Sequence, residues 1–200
     1  VGGDWYDVID LPGGQIGLAI GDVAGHGLRA ASLMAQLRAG LRAYALDGHS
    51  PGDVLKRLDR MLQTISGRGM ATAAYAIVEP ATGTLRYASA GHPPPVIVRG
   101  GREAMLLETN PAPPLGSLPF SSFSDVQDRL TANDTILLYT DGLIERRHEP
   151  LTAGLERLRA LASAAATAEQ LCQRVVAQLV PPGGGDDDIA VVALRVVPVE

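Results

Sequence analysis

Pairs of apolar residues between acids fill Asp4–Asp10 (Asp-Trp-Tyr-Asp-Val-Ile-Asp), Pro12-Gly13-Gly14 interrupts them, and Gln15–Ile20 forms a second apolar run. Two such runs around a Gly-rich break predict a β-hairpin. With the turn centred near Gly13, facing residue numbers sum to about 26, because loop length sets register. Asp4 then stands opposite Asp22. From Leu28 to Leu46 the period lengthens, and Ala30, Met34, Leu37, Leu41 and Tyr44 fall on one face of a helix. Ser50 as N-cap and Pro51 at the first helical position open a second helix with Val54, Leu58, Met61, Leu62 and Ile65 on its buried face. Gly67 and Gly69 are expected to end it.

The period then shortens again. Thr72–Glu79, Thr84–Ala90, Pro95–Arg99, Met105–Glu108, Phe123–Leu130 and Thr135–Tyr139 are short β-like runs separated by Gly, Pro, Asn or Asp. Leu151–Ser163 and Ala168–Val180 return to helical spacing, the latter opened by a Thr167-x-x-Gln170 capping box, and Ile189–Val197 is a final β-branched run. Helices are thus segregated from strands, which predicts an α+β fold of antiparallel sheet layers covered by helix pairs.

At 200 residues the chain suits one domain, residues 1–200. Its 46% hydrophobic content supports a real core, built from Ala, Val, Leu and Ile because aromatics make up only 4%. Lys+Arg 17 against Asp+Glu 22 gives a net charge of −5 without a basic cluster, which disfavours nucleic acid as a partner. No apolar run is long enough to span a membrane. A single cysteine, Cys172, excludes an internal disulfide and is expected to be a buried, inert thiol. Val1 has no signal-like segment behind it, so the chain is expected to be a cytoplasmic piece of a longer multidomain regulator.

Candidate chemistry lies in the acids at strand ends. Asp22 follows the run Ile16–Ile20, Asp141 follows Ile136–Thr140, Asp187 precedes Ile189–Leu194, and Asp4 opens the first strand. Asp141-Gly142 alone could be an ordinary turn, and Asp186-Asp187-Asp188 after three glycines a solvated loop. Together they share a strand-end placement that turns do not require. Carboxylates gathered on one rim raise each other's pKa unless a cation sits between them, and no Lys or Arg is near these motifs in sequence. Oxygen ligands suit hard divalent ions, and a two-metal site needs a bridging acid, for which Asp22 is the candidate.

Five segments occur in order: Val1-Gly2-Gly3-Asp4-Trp5-Tyr6-Asp7, Gly21-Asp22-Val23-Ala24-Gly25-His26-Gly27, Ser89-Ala90-Gly91-His92-Pro93-Pro94-Pro95, Leu138-Tyr139-Thr140-Asp141-Gly142 and Asp186-Asp187-Asp188-Ile189-Ala190. Across nearly its whole length the chain closely resembles the bacterial branch of metal-dependent type 2C serine/threonine phosphatases, the SpoIIE/RsbU-like group. The resemblance implies a sandwich of two antiparallel β-sheets flanked by helix pairs. It also implies hydrolysis of phosphoserine or phosphothreonine on a protein partner by water activated between two Mn²⁺ or Mg²⁺ ions. Asp22 would bridge the ions, with Asp141 and Asp187 completing one and Asp4 and the Val23 carbonyl serving the other. Catalysis would depend most on Asp22 and Asp141. Asp188, His26 and Gly25 are supporting candidates, and Asp7 is expected to back the ligands or the fold. Animal relatives place an acid His two residues after the bridging Asp, whereas His26 comes four after Asp22, so a structural role is favoured for it. His92 is expected to fix its Pro-flanked turn, and Arg146-Arg147 to be solvated.

The same resemblance implies partner switching, with a phosphorylated anti-sigma-factor antagonist as substrate and a regulatory sensor domain upstream. Relatives usually carry a further strand and a regulatory helix before the Gly-Gly-Asp motif, so the N-terminal strand is expected to be truncated here. The rival expectations are a non-catalytic metal-binding scaffold, which a missing metal acid would mark, and a general phosphomonoesterase.

Overall fold

The computed structural model describes residues 2–65, 69–100, 102–108, 110–119, 121–163, 167–181 and 187–197. Gly67 and Asp186, and Val1 of the first motif, lie outside them. The described chain divides into two compact units, Val1–His92 with Thr109–Arg129 and Pro93–Glu108 with Leu130–Glu200. Each has one antiparallel sheet and two helices, which makes the class α+β as expected.

In the first unit β1 (Trp5–Leu11) and β2 (Gln15–Val23) form the hairpin around a short 3-10 turn at Pro12–Gly14. Trp5 faces Gly21 and Leu11 faces Gln15, so paired numbers sum to 26 throughout. The pattern runs on beyond the strand, where the Val23 N–H donates to the Gly3 carbonyl at 3.3 Å. With β3 (Ala71–Glu79), β4 (Thr84–Ala90), β5 (Val96–Arg99), β6 (Glu103–Leu106) and β7 (Val126–Arg129) following in sequence, the first sheet takes the order β1-β2-β3-β4-β7. Two helices, α1 (Leu28–Leu46) and α2 (Pro51–Ile65), cover one face of it.

Those helices have the predicted bounds, but their buried stripes are rotated slightly. Ala30, Leu33, Leu37, Leu41 and Ala45 are the buried residues of α1, with Met34 and Tyr44 at the margin. On α2, Val54, Leu55, Leu58 and Leu62 are buried, whereas Ile65 is 47% exposed and Met61 only partly covered. At the end of a helix the last apolar residue runs past the sheet that the earlier turns pack on, so periodicity alone overstates its burial. The run at 123–130 narrows to Val126–Arg129 because Phe123 turns into the core and Asp125 Oδ1 accepts the Gly52 N–H at 2.6 Å.

The second unit orders its strands β6-β5-β8-β9, with β8 (Thr135–Tyr139) between β5 and β9 (Val191–Arg195). Against this sheet α3 (Leu151–Ala162) and α4 (Ala168–Leu179) bury Leu158, Ala162, Leu171, Val175 and Leu179. Thr167 Oγ1 accepts the Gln170 N–H at 3.1 Å, the expected N-cap of α4. Every residue of β8 is buried, with Asp134 directly before the strand and Asp141 following it after Thr140. Cys172 is partly buried on α4, and burial pushes its thiol pKa up, which keeps it in the unreactive form.

Candidate metal centre

The hairpin register determines where the first two acids stand. Asp22 occupies the penultimate position of β2, faces Thr72 on β3, and by continuation of the β1 pairing lies opposite Asp4. Both carboxylates are half-buried. Gly3 packs so closely on this turn that a Cβ there would strike the Val23 carbonyl and stand 2.8 Å from Asp22 Oδ1. A glycine is therefore required for the backbone to pass Asp22 at that distance. After Val23, which is buried, the chain leaves the sheet through Gly25, at φ +102°, and exposed His26 to the first turn of α1. The Ala24 N–H donates to the Met70 carbonyl at 3.0 Å and holds the loop's start.

Behind Asp22 lies a support that the spacing of motifs does not reveal. Thr72, its cross-strand neighbour, shares a 2.9 Å hydrogen bond with His92 Nδ1. Ser89 Oγ in turn accepts the His92 N–H and donates to the His92 carbonyl, both at 3.1 Å. His92 is thus a buried turn residue that fixes Thr72. Asp7 is 5% exposed and holds two arginines, Arg38 at 3.3 Å and Arg42 at 2.7 Å, one helical turn apart on α1. A buried carboxylate of this kind ties β1 to α1 and is compensated by the protein itself.

In the second unit the local lock is Thr140. Its backbone N–H donates to the Ala190 carbonyl at 3.0 Å while its hydroxyl accepts the Ala190 N–H at 2.8 Å. These bonds join the exit of β8 to the entrance of β9. Asp141 then begins a short 3-10 turn, and its carbonyl accepts N–H groups from Ile144 and Glu145, each at 2.8 Å. A Cβ on Gly142 would meet the Asp188 carbonyl and stand 3.4 Å from Asp187 Cβ, so the two acid-bearing segments run in backbone contact. Burial raises the Asp141 pKa first, and the Asp187 charge raises it further, against N–H donors of Gly142 and Asp141 that pull it down. The exposed Asp187 accepts the Asp188 N–H at 2.9 Å, and Asp188 is exposed beside it. Among the described residues no cationic side chain pairs with either Asp141 or Asp187.

Among the described residues no group of three or more acidic, His or Cys side chains is gathered closely enough to hold a metal ion. Each unit instead supplies a pair of strand-end carboxylates, Asp4 with Asp22 and Asp141 with Asp187. The donor set is all oxygen, and both pairs sit where glycine lets backbone approach a carboxylate. That chemistry fits a hard divalent cation. Arg146 and Arg147 are both exposed, as expected, and Arg146 also reaches the Leu179 carbonyl at 3.5 Å.

Two antiparallel sheets, each with a helix pair and with aspartates at strand ends, give an α+β arrangement whose fold is that of solved PP2C phosphatase domains. The Stage II sporulation protein E (SpoIIE) family matches residues 12–197, and the chain belongs to that family. Phosphoserine phosphatase RsbP of Bacillus subtilis (strain 168) is 30% identical over 148 residues, 72% of this chain and 36% of its own length. The crystal structure of the RsbU and RsbW domains of a Mycobacterium tuberculosis protein superposes with a TM-score of 0.90 at 35% identity, covering 100% of this chain and 58% of that one. The PP2C phosphatase domain of SpoIIE from Bacillus subtilis shares the fold with a TM-score of 0.75 at 22% identity, over 98% of this chain and 59% of that one. The chain therefore spans little more than a third of RsbP. No described helix is long and apolar enough to cross a membrane.

Proposed function

We propose that residues 1–200 form one phosphatase domain that hydrolyses phosphoserine or phosphothreonine on a protein, with two Mn²⁺ or Mg²⁺ ions as cofactors. Asp22 is the proposed bridging ligand, Asp141 and Asp187 serve one ion, and Asp4 and the Val23 carbonyl serve the other. A divalent cation bound by such acids lowers the pKa of water and offsets charge on phosphoryl oxygens. No protein nucleophile is needed. The chain's own part is to aim carboxylates: the hairpin register aligns Asp4 with Asp22, the Thr72–His92 bond backs that strand, and the Thr140–Ala190 lock sets Asp141 beside Asp187. Asp188, Gly25 and His26 support these segments, with His26 outside the essential proton path.

The Asp141–Asp187 pair supports this function most. Two carboxylates are held together by their backbones, one with its pKa raised, and no described cationic side chain compensates them. A purely structural pair would bring its own cation, as Asp7 does. The substrate we propose is a phosphorylated anti-sigma-factor antagonist, and the domain's place is a partner-switching regulator in the cytoplasm whose sensor lies upstream. Support comes from the resemblance to RsbP and to the M. tuberculosis RsbU domain. The test is phosphate release from a serine-phosphorylated protein with Mn²⁺, with Mg²⁺ and with EDTA. Release that requires the metal is expected. No release in either metal, from a folded chain, would contradict the proposal.

A further inference from the structure

We propose that a cavity of about 880 Å³ beside the Asp22 loop receives the substrate polypeptide flanking the phosphoserine, and that it selects a segment carrying a carboxylate and an aliphatic side chain. This rests on the phosphatase activity proposed above. Val23, Gly25 and His26 line the cavity on one side, and Leu28 and Arg29 of α1 and Ile65 of α2 on others. It is continuous with the segment that bears the candidate bridging ligand, so a chain lying in it would reach that ligand's loop without a gap. Its volume is in the range of sites that bury several side chains or a small molecule.

Charge indicates the class of occupant. The chain carries −5 overall, yet none of the described lining residues is acidic. Arg29 is their one permanent cation, it is exposed, and it makes no ion pair among the described residues. The first turn of α1 contains no carboxylate to neutralise it. An anionic segment is favoured there, and a basic one gains nothing. Apolar exposure points the same way. Leu28 is 87% exposed and Ile65 47% exposed, both on the cavity wall, although α1 has an otherwise well-buried apolar stripe. Two large aliphatic side chains exposed at the wall of one cleft offer an apolar contact to a chain lying in it.

Two phosphoserine peptides test this, one with Glu and Leu flanking the phosphoserine and one with Lys and Ser in those positions. Each is used as a substrate with Mn²⁺ and, in a fluorescein-labelled phosphonate version, as a ligand read by fluorescence anisotropy without metal. The acidic, aliphatic peptide is expected to have the lower KM by roughly tenfold, the factor that ~1.4 kcal/mol corresponds to. Arg29→Glu should erase or invert that preference through KM, Arg29→Lys should keep most of it, and Leu28→Ser should weaken it a few-fold. These side chains face solvent, so circular dichroism of the variants should match the wild type. A wild-type preference below about twofold, or one that survives Arg29→Glu, overturns the assignment. If neither peptide is hydrolysed, the phosphatase activity fails while the anisotropy preference still decides whether the cavity selects acidic segments.

Discussion

The strand β8 carries an aspartate at each end, and the fold treats them in opposite ways. Asp134, before the strand, is 1% exposed, yet its oxygens accept the Gly100 N–H at 2.7 Å, the Thr131 N–H at 2.9 Å and hydroxyl at 3.1 Å, and Arg99 at 3.1 Å. Burial alone would raise its pKa, but those donors outweigh burial and the net shift is downward. Asp141, after the strand, is raised by burial and then by the Asp187 charge. One carboxylate takes its compensation from the protein. The other is left short of it, which is the condition under which an external cation binds strongly. Asp7 in the first unit falls on the Asp134 side, with Arg38 and Arg42 holding both its oxygens.

The contrast is broken most severely by neutralising Asp141. Asp141→Asn should lower metal-dependent phosphate release by more than the about 10–100-fold that loss of mere support for a ligand costs, with the fold intact by circular dichroism. A variant keeping near-wild-type turnover in saturating Mn²⁺ would put Asp141 with the structural acids. Asp134→Ala should act on stability instead. It strands two backbone N–H groups and Arg99, so a loss of about 1–3 kcal/mol is expected in urea unfolding. Gly142→Ala should come next, because the added Cβ forces the Asp141 turn away from the Asp188 carbonyl. Overpacking of this kind costs about 1–3 kcal/mol, and the reduced Mn²⁺ affinity should be larger than the change in Tm suggests.

Acid titration sharpens the same comparison. Because the folded pKa of Asp134 is lowered, its contribution to stability is present above the unfolded value and lost as pH falls through the folded one. For Asp141 the raised folded pKa reverses the sign, and its stabilising contribution, present below the unfolded value, disappears as pH rises through the folded one. In EDTA, Tm followed from roughly pH 3 to pH 8 should therefore show a shallower acid limb in Asp134→Asn and a higher neutral plateau in Asp141→Asn. The smallest effect is expected at exposed His26, where His26→Ala should reduce turnover by less than about tenfold, against the ~10²–10⁴-fold of a true general acid.

Local patterning made much of this legible. The bounds of α1 and α2 follow from apolar spacing and from Pro51, and the hairpin register from Pro12-Gly13-Gly14, which is why local spacing alone sets Asp4 against Asp22. Side-chain partners drawn from distant elements were not legible. Arg38 and Arg42 reach Asp7 across 31 and 35 residues, and nothing in a helical stripe says which strand its polar edge will meet. Asp59 on α2 is a charged residue that is nonetheless buried, accepting the Gly116 N–H at 2.8 Å and the Gln63 amide at 2.9 Å, so that a loop is fastened to the helix. The Thr72–His92 bond and the cavity at the start of α1 likewise exist only once β3 and the two helices have packed.

Mn²⁺ affinity in the two β8 variants, followed by electron paramagnetic resonance on the folded chain, tests the central claim most directly. Asp141→Asn should bind Mn²⁺ markedly more weakly than the wild type while unfolding no more easily, and Asp134→Asn should bind it like the wild type while unfolding at lower urea. Wild-type affinity in Asp141→Asn, or an equal loss in both variants, would contradict the assignment of Asp141 to a divalent cation.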